Sequence, residues 1–170
     1  MTKFIICICT YKREEQLKIL LNSIENIEVP NNSLIEVIVV DNNVDNEGKI
    51  FGYKGKLNIT YMIEPKKGIS NARNRALYET KKRDYDFLIF LDDDEFVNKE
   101  WLIKLYNTYL NYNENIIRGP VITKYKNTPK YIIDSRVFEQ NRIETGTIID
   151  TCACGNVMIS KKALDNNIIF

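Results

Sequence analysis

Residues 87–96 read Phe-Leu-Ile-Phe-Leu-Asp-Asp-Asp-Glu-Phe, and this stretch decides the fold of the chain. Its first five residues are all apolar, which is typical of a strand buried on both faces of a parallel sheet. Four acidic residues follow, and carboxylates about 4 Å apart repel each other by about 1 kcal/mol even in water. A divalent cation with oxygen ligands would compensate that charge, whereas a solvated acidic loop is the plainer interpretation. Because open α/β sheets bind ligands at the carboxyl ends of their strands, we favour the metal site.

Two earlier apolar runs, Phe4–Cys9 and Leu34–Val40, also end in polar residues. Thr10 follows the first run and Asp41 follows the second. Between them, apolar residues at 17, 20, 21 and 24 recur at helical spacing, so Thr10 is placed to cap a helix, to line a pocket, or to do both. Strand, helix and strand in this order predict an α/β fold with a mostly parallel central sheet. We expect a short or irregular helix within residues 44–56 and a third strand over residues 57–63.

A basic helix is predicted after residues 65–70, with Ser70 as its cap. Arg73 and Arg75 lie in its first turns, where the helix dipole disfavours cations. Their presence there indicates that an anion is bound, and phosphate is the anion that helix N-termini bind most readily. The alternative is an ordinary exposed helix whose arginines pair with Glu79 and Asp84.

The composition excludes several classes of function. The chain has 170 residues, which suits one domain over residues 1–170, and its formal net charge of +1 gives no case for nucleic acid as a partner. It has 0 histidines, so histidine-based nucleophile systems and zinc sites with histidine ligands are excluded. The 4 cysteines form two Cys-x-Cys pairs, at 7 and 9 and at 152 and 154, which we expect to pack in strands rather than to bind zinc.

Nothing in the sequence predicts export or a membrane span. No signal peptide precedes the first strand, and no apolar run approaches the roughly 18 residues that a membrane span needs. We therefore expect a cytoplasmic protein, with peripheral association at the inner face of the membrane left open.

The second half of the chain is less regular. A helix is predicted from Asn98 through Tyr109, and strands are predicted at residues 116–125, 147–151 and 156–160. Residues 130–140 are ambiguous between a short helix and a loop, and another helix is expected from residue 161.

Four short motifs occur in an order that is specific when taken together. They are Cys-Thr-Tyr-Lys-Arg at 9–13, Val-Val-Asp-Asn-Asn at 39–43, Gly-Ile-Ser-Asn-Ala-Arg-Asn-Arg-Ala at 68–76 and Phe-Leu-Asp-Asp-Asp-Glu at 90–95. With them the chain resembles the nucleotide-sugar-binding part of a bacterial, inverting family 2 glycosyltransferase. That resemblance implies the GT-A fold, a Rossmann-like sandwich of three layers around a mostly parallel sheet.

The resemblance also implies roles for particular residues. It implies that Asp41 accepts a hydrogen bond from the base, most often uracil, and that Asp92 and Asp94, as the Asp-x-Asp motif, hold Mn²⁺ or Mg²⁺. The whole implied nucleotide-binding set is Thr10, Tyr11, Arg13, Asp41, Asn71, Arg73, Asn74, Asp92 and Asp93.

The activity so implied is transfer of a sugar from a nucleoside diphosphate donor, with a UDP-sugar favoured, to a saccharide or lipid-linked acceptor in cell-surface polysaccharide synthesis. In relatives the general base lies beyond the segment that resembles residues 155–160, so we expect it after Phe170 and expect this chain to be weakly active or inactive alone. Two alternatives stay open: a nucleotide-binding module without catalysis, and a metal-dependent phosphohydrolase or nucleotidyltransferase.

Overall fold

The computed structural model describes residues 1–45, 53–164 and 170. In these residues one sheet has the strand order β3-β2-β1-β4-β6-β5. Its strands are β1 (Thr2–Thr10), β2 (Ser33–Asp41), β3 (Ile59–Ile63), β4 (Phe87–Asp92), β5 (Ile116–Arg118) and β6 (Val157–Ser160). The helices are α1 (Glu14–Glu25), α2 (Ile69–Lys81), α3 (Trp101–Tyr112), α4 (Lys130–Ser135) and α5 (Lys161–Leu164).

The sheet is mostly parallel, as the sequence predicts. β1 lies at its centre and pairs in parallel with β2 and β4, and β3 extends the parallel part beyond β2. β6 runs antiparallel to β4 and carries β5 on its other side. Thr10 is paired with Asp41 and Cys9 with Asp92, so the carboxyl ends of three neighbouring strands meet at one edge.

Helices cover both faces of this sheet and complete three layers. α1 and α3 pack on one face, where Leu20 and Leu102 are fully buried. α2 and α5 pack on the other face through Ala76 and Leu164. Because β1 and β4 contribute alternate residues to the two cores, they read as unbroken apolar runs in the sequence.

Residues 120–154 lie outside both cores, and none of them is buried. The strand predicted at residues 147–151 is absent, and Ile148 in that segment is 85% exposed. β5 is shorter than predicted because it stops before Gly119-Pro120. The ambiguous segment from residue 130 begins with the short helix α4, which buries no residue.

The expectations for a helix within residues 44–56, for the cysteines and for a membrane span had different outcomes. Most of the helix predicted within residues 44–56 falls on residues 46–52, outside the described residues, and the described residues 53–56 are not helical. Of the paired cysteines, Cys7 is buried in β1, but Cys152 is exposed in an irregular segment, so the prediction of core packing was wrong for that residue. None of the described helices is both long and apolar enough to cross a lipid bilayer.

Both predicted helix caps were wrong. Thr10 is the last residue of β1, and Arg13 holds the N-cap position of α1 without a capping side-chain bond. α2 begins one residue before Ser70, because Gly68 adopts a φ of +122° that starts the helix directly after the turn.

Candidate functional site

A buried carboxylate, Asp93, anchors the acidic turn to the end of β1. Its side chain receives a hydrogen bond of 2.7 Å from the Thr10 hydroxyl and one of 3.0 Å from Arg13 Nη1. Arg13 also donates a hydrogen bond of 2.8 Å to Asp94 Oδ2, and these carboxylates, Asp93 above all, raise the pKa of the guanidinium. Thr10 and Arg13 therefore bind the side chains of the acidic turn. These hydrogen bonds join the motif at residues 9–13 to the motif at residues 90–95.

Asp92 lies at the tip of β4 and faces α2. Burial raises the pKa of its carboxyl group, and the Arg73 guanidinium opposes that rise from 3.4 Å away. Arg73 comes from the third motif and Asp92 from the fourth, so the structure brings together the predicted cation and the predicted acid at the same edge of the sheet.

A second carboxylate, Glu95, turns back towards Asp92. Glu95 Oε2 accepts a hydrogen bond of 3.2 Å from the Asp92 backbone N–H, and burial raises the pKa of Glu95 to about 7. A Cβ atom added at Gly155 would lie 2.8 Å from Asp92 Oδ2 and 2.9 Å from Glu95 Oε1. The two carboxylates therefore converge on a small space that a glycine leaves open.

The carboxylates of this edge are suited to a divalent cation. Carboxylate oxygens are the ligands that Mg²⁺ and Mn²⁺ prefer. Burial, and to a lesser extent the neighbouring carboxylates, raise the pKa values of Asp92 and Glu95, and a bound cation would favour their charged forms. Among the described residues, however, no three ligating side chains come together. The arrangement fits an ion that takes one or two protein carboxylates and completes its shell with water and phosphate oxygens.

Asp41 is buried at the end of β2, next to Thr10 in the sheet. Its Oδ1 accepts a hydrogen bond of 2.8 Å from the Asn43 backbone N–H, and its Oδ2 accepts one from the Tyr61 hydroxyl. These bonds hold the carboxylate at the strand tip, where the resemblance places the acceptor for the base.

Asn42 ties the tip of β2 to the start of α2. Its side-chain nitrogen donates to the carbonyl oxygens of Glu64 and Lys66, at 2.8 and 2.9 Å. Its side-chain oxygen accepts a hydrogen bond of 2.7 Å from the Gly68 N–H. A single buried amide therefore sets where α2 begins, and with it where Arg73 lies.

The two arginines of α2 have separate partners. Arg75 pairs with Glu79 one turn later at 3.3 Å, as the plainer interpretation of this helix expects, whereas Arg73 turns to the acidic edge. The two predicted asparagines are engaged within the protein. Asn71 donates a hydrogen bond of 2.8 Å to the Lys67 carbonyl, and the amide of Asn74 is paired with the main chain of Phe170.

An open cleft lies beside this edge. It has a volume of about 510 Å³ and is lined by residues from the loop after β1, the start of α1 and the loop after β2: Lys12, Glu14, Glu15, Gln16, Asn43 and Asp45. Tyr11 is 48% exposed, and the Lys12 ammonium lies 5.3 Å from the centre of its ring. Tyr11 therefore offers an exposed aromatic face at the end of β1.

Four residues of this arrangement are absent from the predicted set: Asn42, Tyr61, Glu95 and Gly155. Asn42 and Glu95 adjoin predicted residues, so their position in the motifs was a usable signal. Tyr61 and Gly155 reach the edge only through strand pairing and chain reversal, for which the local sequence carries no signal.

The chain is similar to known glycosyltransferases. A family model described as Glycosyl transferase family 2 matches residues 5–167. The succinoglycan biosynthesis protein ExoM of Rhizobium meliloti (strain 1021) is 36% identical over 124 residues, which are 71% of this chain and 39% of ExoM. The chain thus spans well under half the length of this curated relative.

Solved structures share the fold. The crystal structure of Staphylococcus aureus TarS 1–349 in complex with UDP-GlcNAc superposes with a TM-score of 0.70 at 22% identity, covering 99% of this chain and 48% of that one. The mannosyltransferase PcManGT of Pyrobaculum calidifontis, in complex with GDP-Man and Mn²⁺, superposes with a TM-score of 0.57 at 18% identity, covering 71% of this chain and 35% of that one. At these identities the likeness concerns the fold, and it confirms the predicted GT-A architecture.

Proposed function

Because the chain belongs to glycosyl transferase family 2, we propose that it binds the diphosphate of a nucleotide sugar at the carboxyl edge of β1, β2 and β4 and takes part in transfer of the sugar with inversion at the anomeric carbon. The favoured donor is a UDP-sugar. The acceptor is a saccharide or a lipid-linked saccharide of a growing cell-surface polysaccharide.

The observation that carries this proposal is the pairing of Arg73 with Asp92 across the sheet edge. The Arg73 side chain is 21% exposed and that of Asp92 is 49% exposed, so both remain accessible to a ligand. A guanidinium binds diphosphate oxygens in a bidentate manner, and an acid beside it holds a cation. One edge therefore offers both charges that a nucleoside diphosphate with its metal ion requires.

The proposed cation is Mn²⁺ or Mg²⁺, held by Asp92 and Asp94. When bound, it would neutralise the diphosphate and so stabilise it as a leaving group. Asp94 is exposed and pairs with Arg13 at 2.8 Å, so ion binding would compete with that guanidinium for the carboxylate. Support for a metal ion comes from the acidic cluster and from the Mn²⁺ present with PcManGT.

Uracil is the proposed base because Asp41 offers a fixed carboxylate for the N–H of a pyrimidine, and because TarS has been crystallised with UDP-GlcNAc. The proposed acceptor class follows from the relatives. ExoM is a succinoglycan biosynthesis protein, and TarS is a poly(ribitol-phosphate) beta-N-acetylglucosaminyltransferase.

Thermal unfolding with UDP, GDP, dTDP and ADP, each with and without Mn²⁺, tests the proposal. A ligand at one hundred times its dissociation constant stabilises the folded state by about 2.7 kcal/mol. For a chain of this size that raises Tm by roughly 5–11 °C. We expect UDP with Mn²⁺ to give the largest rise, and no rise with any nucleotide would refute the proposal.

Two matched variants show whether the response comes from this edge. Asp92→Asn removes a charge at the tip of β4, and Asp134→Asn removes one from α4. We expect the first to abolish the UDP and Mn²⁺ response and the second to retain it in full. Equal responses in the two variants would place the nucleotide elsewhere.

A sugar-transfer assay separates the enzyme from the alternative of a nucleotide-binding module. UDP-dependent stabilisation together with transfer to a saccharide acceptor would support the full proposal. Stabilisation without transfer by the chain or by a longer protein that contains it would favour the module.

A further inference from the structure

Phe170 is held against α2 by the side chain of Asn74. Asn74 Nδ2 donates a hydrogen bond of 3.0 Å to the Phe170 carbonyl oxygen, and the Phe170 N–H donates one of 2.8 Å to Asn74 Oδ1. A side-chain amide that pairs with the main chain of one residue in both directions fixes that residue in position and in orientation. We call this pair of bonds the Asn74–Phe170 clasp.

The Phe170 ring is held on its other side by the sheet. Its centre lies 5.4 Å from that of Phe90 with an angle of 84° between the rings, which is the edge-to-face arrangement that aromatic pairs prefer. Phe90 is only 2% exposed and lies in β4, two residues before Asp92. The clasp and the sheet together leave the ring little freedom.

Arg73 lies against that ring. The carbon of its guanidinium is 5.8 Å from the centre of the Phe170 ring, within the range of a cation–π contact. On its other side, Arg73 Nη2 is 3.4 Å from Asp92 Oδ1. The one cation of α2 that faces the acidic edge is thus placed between an aromatic ring and a carboxylate.

We propose that Asn74 and Phe170 are positioning residues for Arg73: the Asn74–Phe170 clasp presents the Phe170 ring to the guanidinium, which is thereby oriented towards the diphosphate. The inference rests on the proposed function. It replaces the expected direct contact of Asn74 with the nucleotide, because both ends of the Asn74 amide point at the Phe170 main chain. An arginine side chain has many rotamers, so a surface that restricts them reduces the entropy lost when phosphate binds.

The first test uses the protein without ligand. NMR spectra of ¹⁵N-labelled arginine side chains, with Arg73→Lys for assignment, report whether a ring lies against this guanidinium. We expect the Arg73 Nε–H signal to shift in Phe170→Leu and in Asn74→Ala, and to remain in place in Asn107→Ala, a matched control at an exposed position of α3. An unmoved signal in both test variants would overturn the proposal.

The second test compares UDP with uridine in the presence of Mn²⁺. We expect Phe170→Leu and Asn74→Ala to weaken UDP binding by about two- to tenfold, as the loss of one cation–π contact predicts. Uridine binding should stay unchanged, and Phe170→Tyr should restore UDP binding because it keeps an aromatic face. Equal losses for UDP and uridine would show general damage to the fold and overturn the positioning role.

The two tests fail in different ways. If the wild-type protein binds neither UDP nor uridine, the proposed function fails, and the NMR result alone then sustains or overturns the placement of Arg73 by Phe170. If UDP binds to every variant with equal affinity, the proposed function stands and the positioning role is refuted.

Discussion

Replacing Thr10 by valine should destabilise the protein by about 2 kcal/mol. The Thr10 hydroxyl is 2.7 Å from Asp93 Oδ2, and both residues are buried. A hydrogen bond to a charged group contributes about 1.5–3 kcal/mol, and valine keeps the shape and the β-branching that suit the end of β1. Arg13 cannot compensate fully, because its side chain is 50% exposed and such ion pairs contribute less than about 1 kcal/mol.

Urea unfolding and thermal unfolding measure this effect. For a chain of this length, 1.5–3 kcal/mol corresponds to a fall in Tm of roughly 3–12 °C. Thr108→Val is the matched control, because it removes an exposed hydroxyl that bonds to the Lys104 carbonyl within α3 and should change the free energy of unfolding by less than about 0.5 kcal/mol.

A double-mutant cycle with Asp93→Ala isolates the bond itself. The loss from Thr10→Val should be smaller by at least about 1 kcal/mol in the Asp93→Ala background, since the acceptor is then missing. The reasoning is refuted if Thr10→Val unfolds within about 0.5 kcal/mol of the wild type, or if the two substitutions add without coupling.

Three further substitutions test the contacts of Asn42, Gly155 and Glu79. Asn42→Ala should lower the free energy of unfolding by more than about 2 kcal/mol in urea, because three hydrogen bonds to residues 64–68 are lost at once; a smaller loss would mean that water replaces the amide. Gly155→Ala should abolish the Mn²⁺-dependent stabilisation by UDP, since its methyl group would lie 2.8 Å from an oxygen of Asp92, and an unchanged thermal response would contradict that crowding. Glu79→Gln should be less stable than the wild type at neutral pH, because neighbouring cations, led by a hydrogen-bonded lysine, hold the pKa of Glu79 below its usual value of 4.5. That difference in stability should persist above pH 4.5 and disappear as the pH falls through the lowered pKa of Glu79. A difference that is independent of pH would be evidence against stabilisation by the ion pairs of Glu79.

The central strands were predictable because burial on both faces leaves an unmistakable apolar run. β1, β2 and β4 appear in the sequence within a few residues of their observed bounds, and each ends where polar residues begin. Parallel pairing then places Thr10, Asp41 and Asp92 at one edge without further information. The predicted parallel arrangement of these strands is confirmed.

The partners of the arginines were only partly predictable from local sequence. Arg73 and Arg75 each lie between Asn74 and an alanine, yet Arg75 pairs along the helix and Arg73 reaches a strand residue 19 positions away. The choice depends on which face of α2 packs on the sheet. Arg13 likewise bridges to a turn 80 residues distant, which becomes visible only when β1 and β4 are paired.

The capping predictions also failed because local sequence does not show contacts made after the chain folds. A hydroxyl next to a predicted helix can cap that helix or serve a distant acceptor, and the sequence does not distinguish the two. For Thr10 the distant acceptor is Asp93, a buried carboxylate that would otherwise lack this donor. For Ser70 the left-handed Gly68 starts the helix one residue earlier.

Asn156 ties together the two ends of the segment 120–154. Its side chain donates a hydrogen bond of 2.9 Å to the Pro120 carbonyl, and its own carbonyl accepts one of 2.8 Å from the Gly119 N–H. Trp101 Nε1 donates a hydrogen bond of 2.7 Å to Asn156 Oδ1. Since residues 120–154 contribute no buried residue, we expect substitutions within this segment to leave the core of the sheet unchanged. A chimera that replaces residues 120–154 and keeps Gly155 would therefore exchange this exposed surface while leaving the acids and Arg73 of the edge in place.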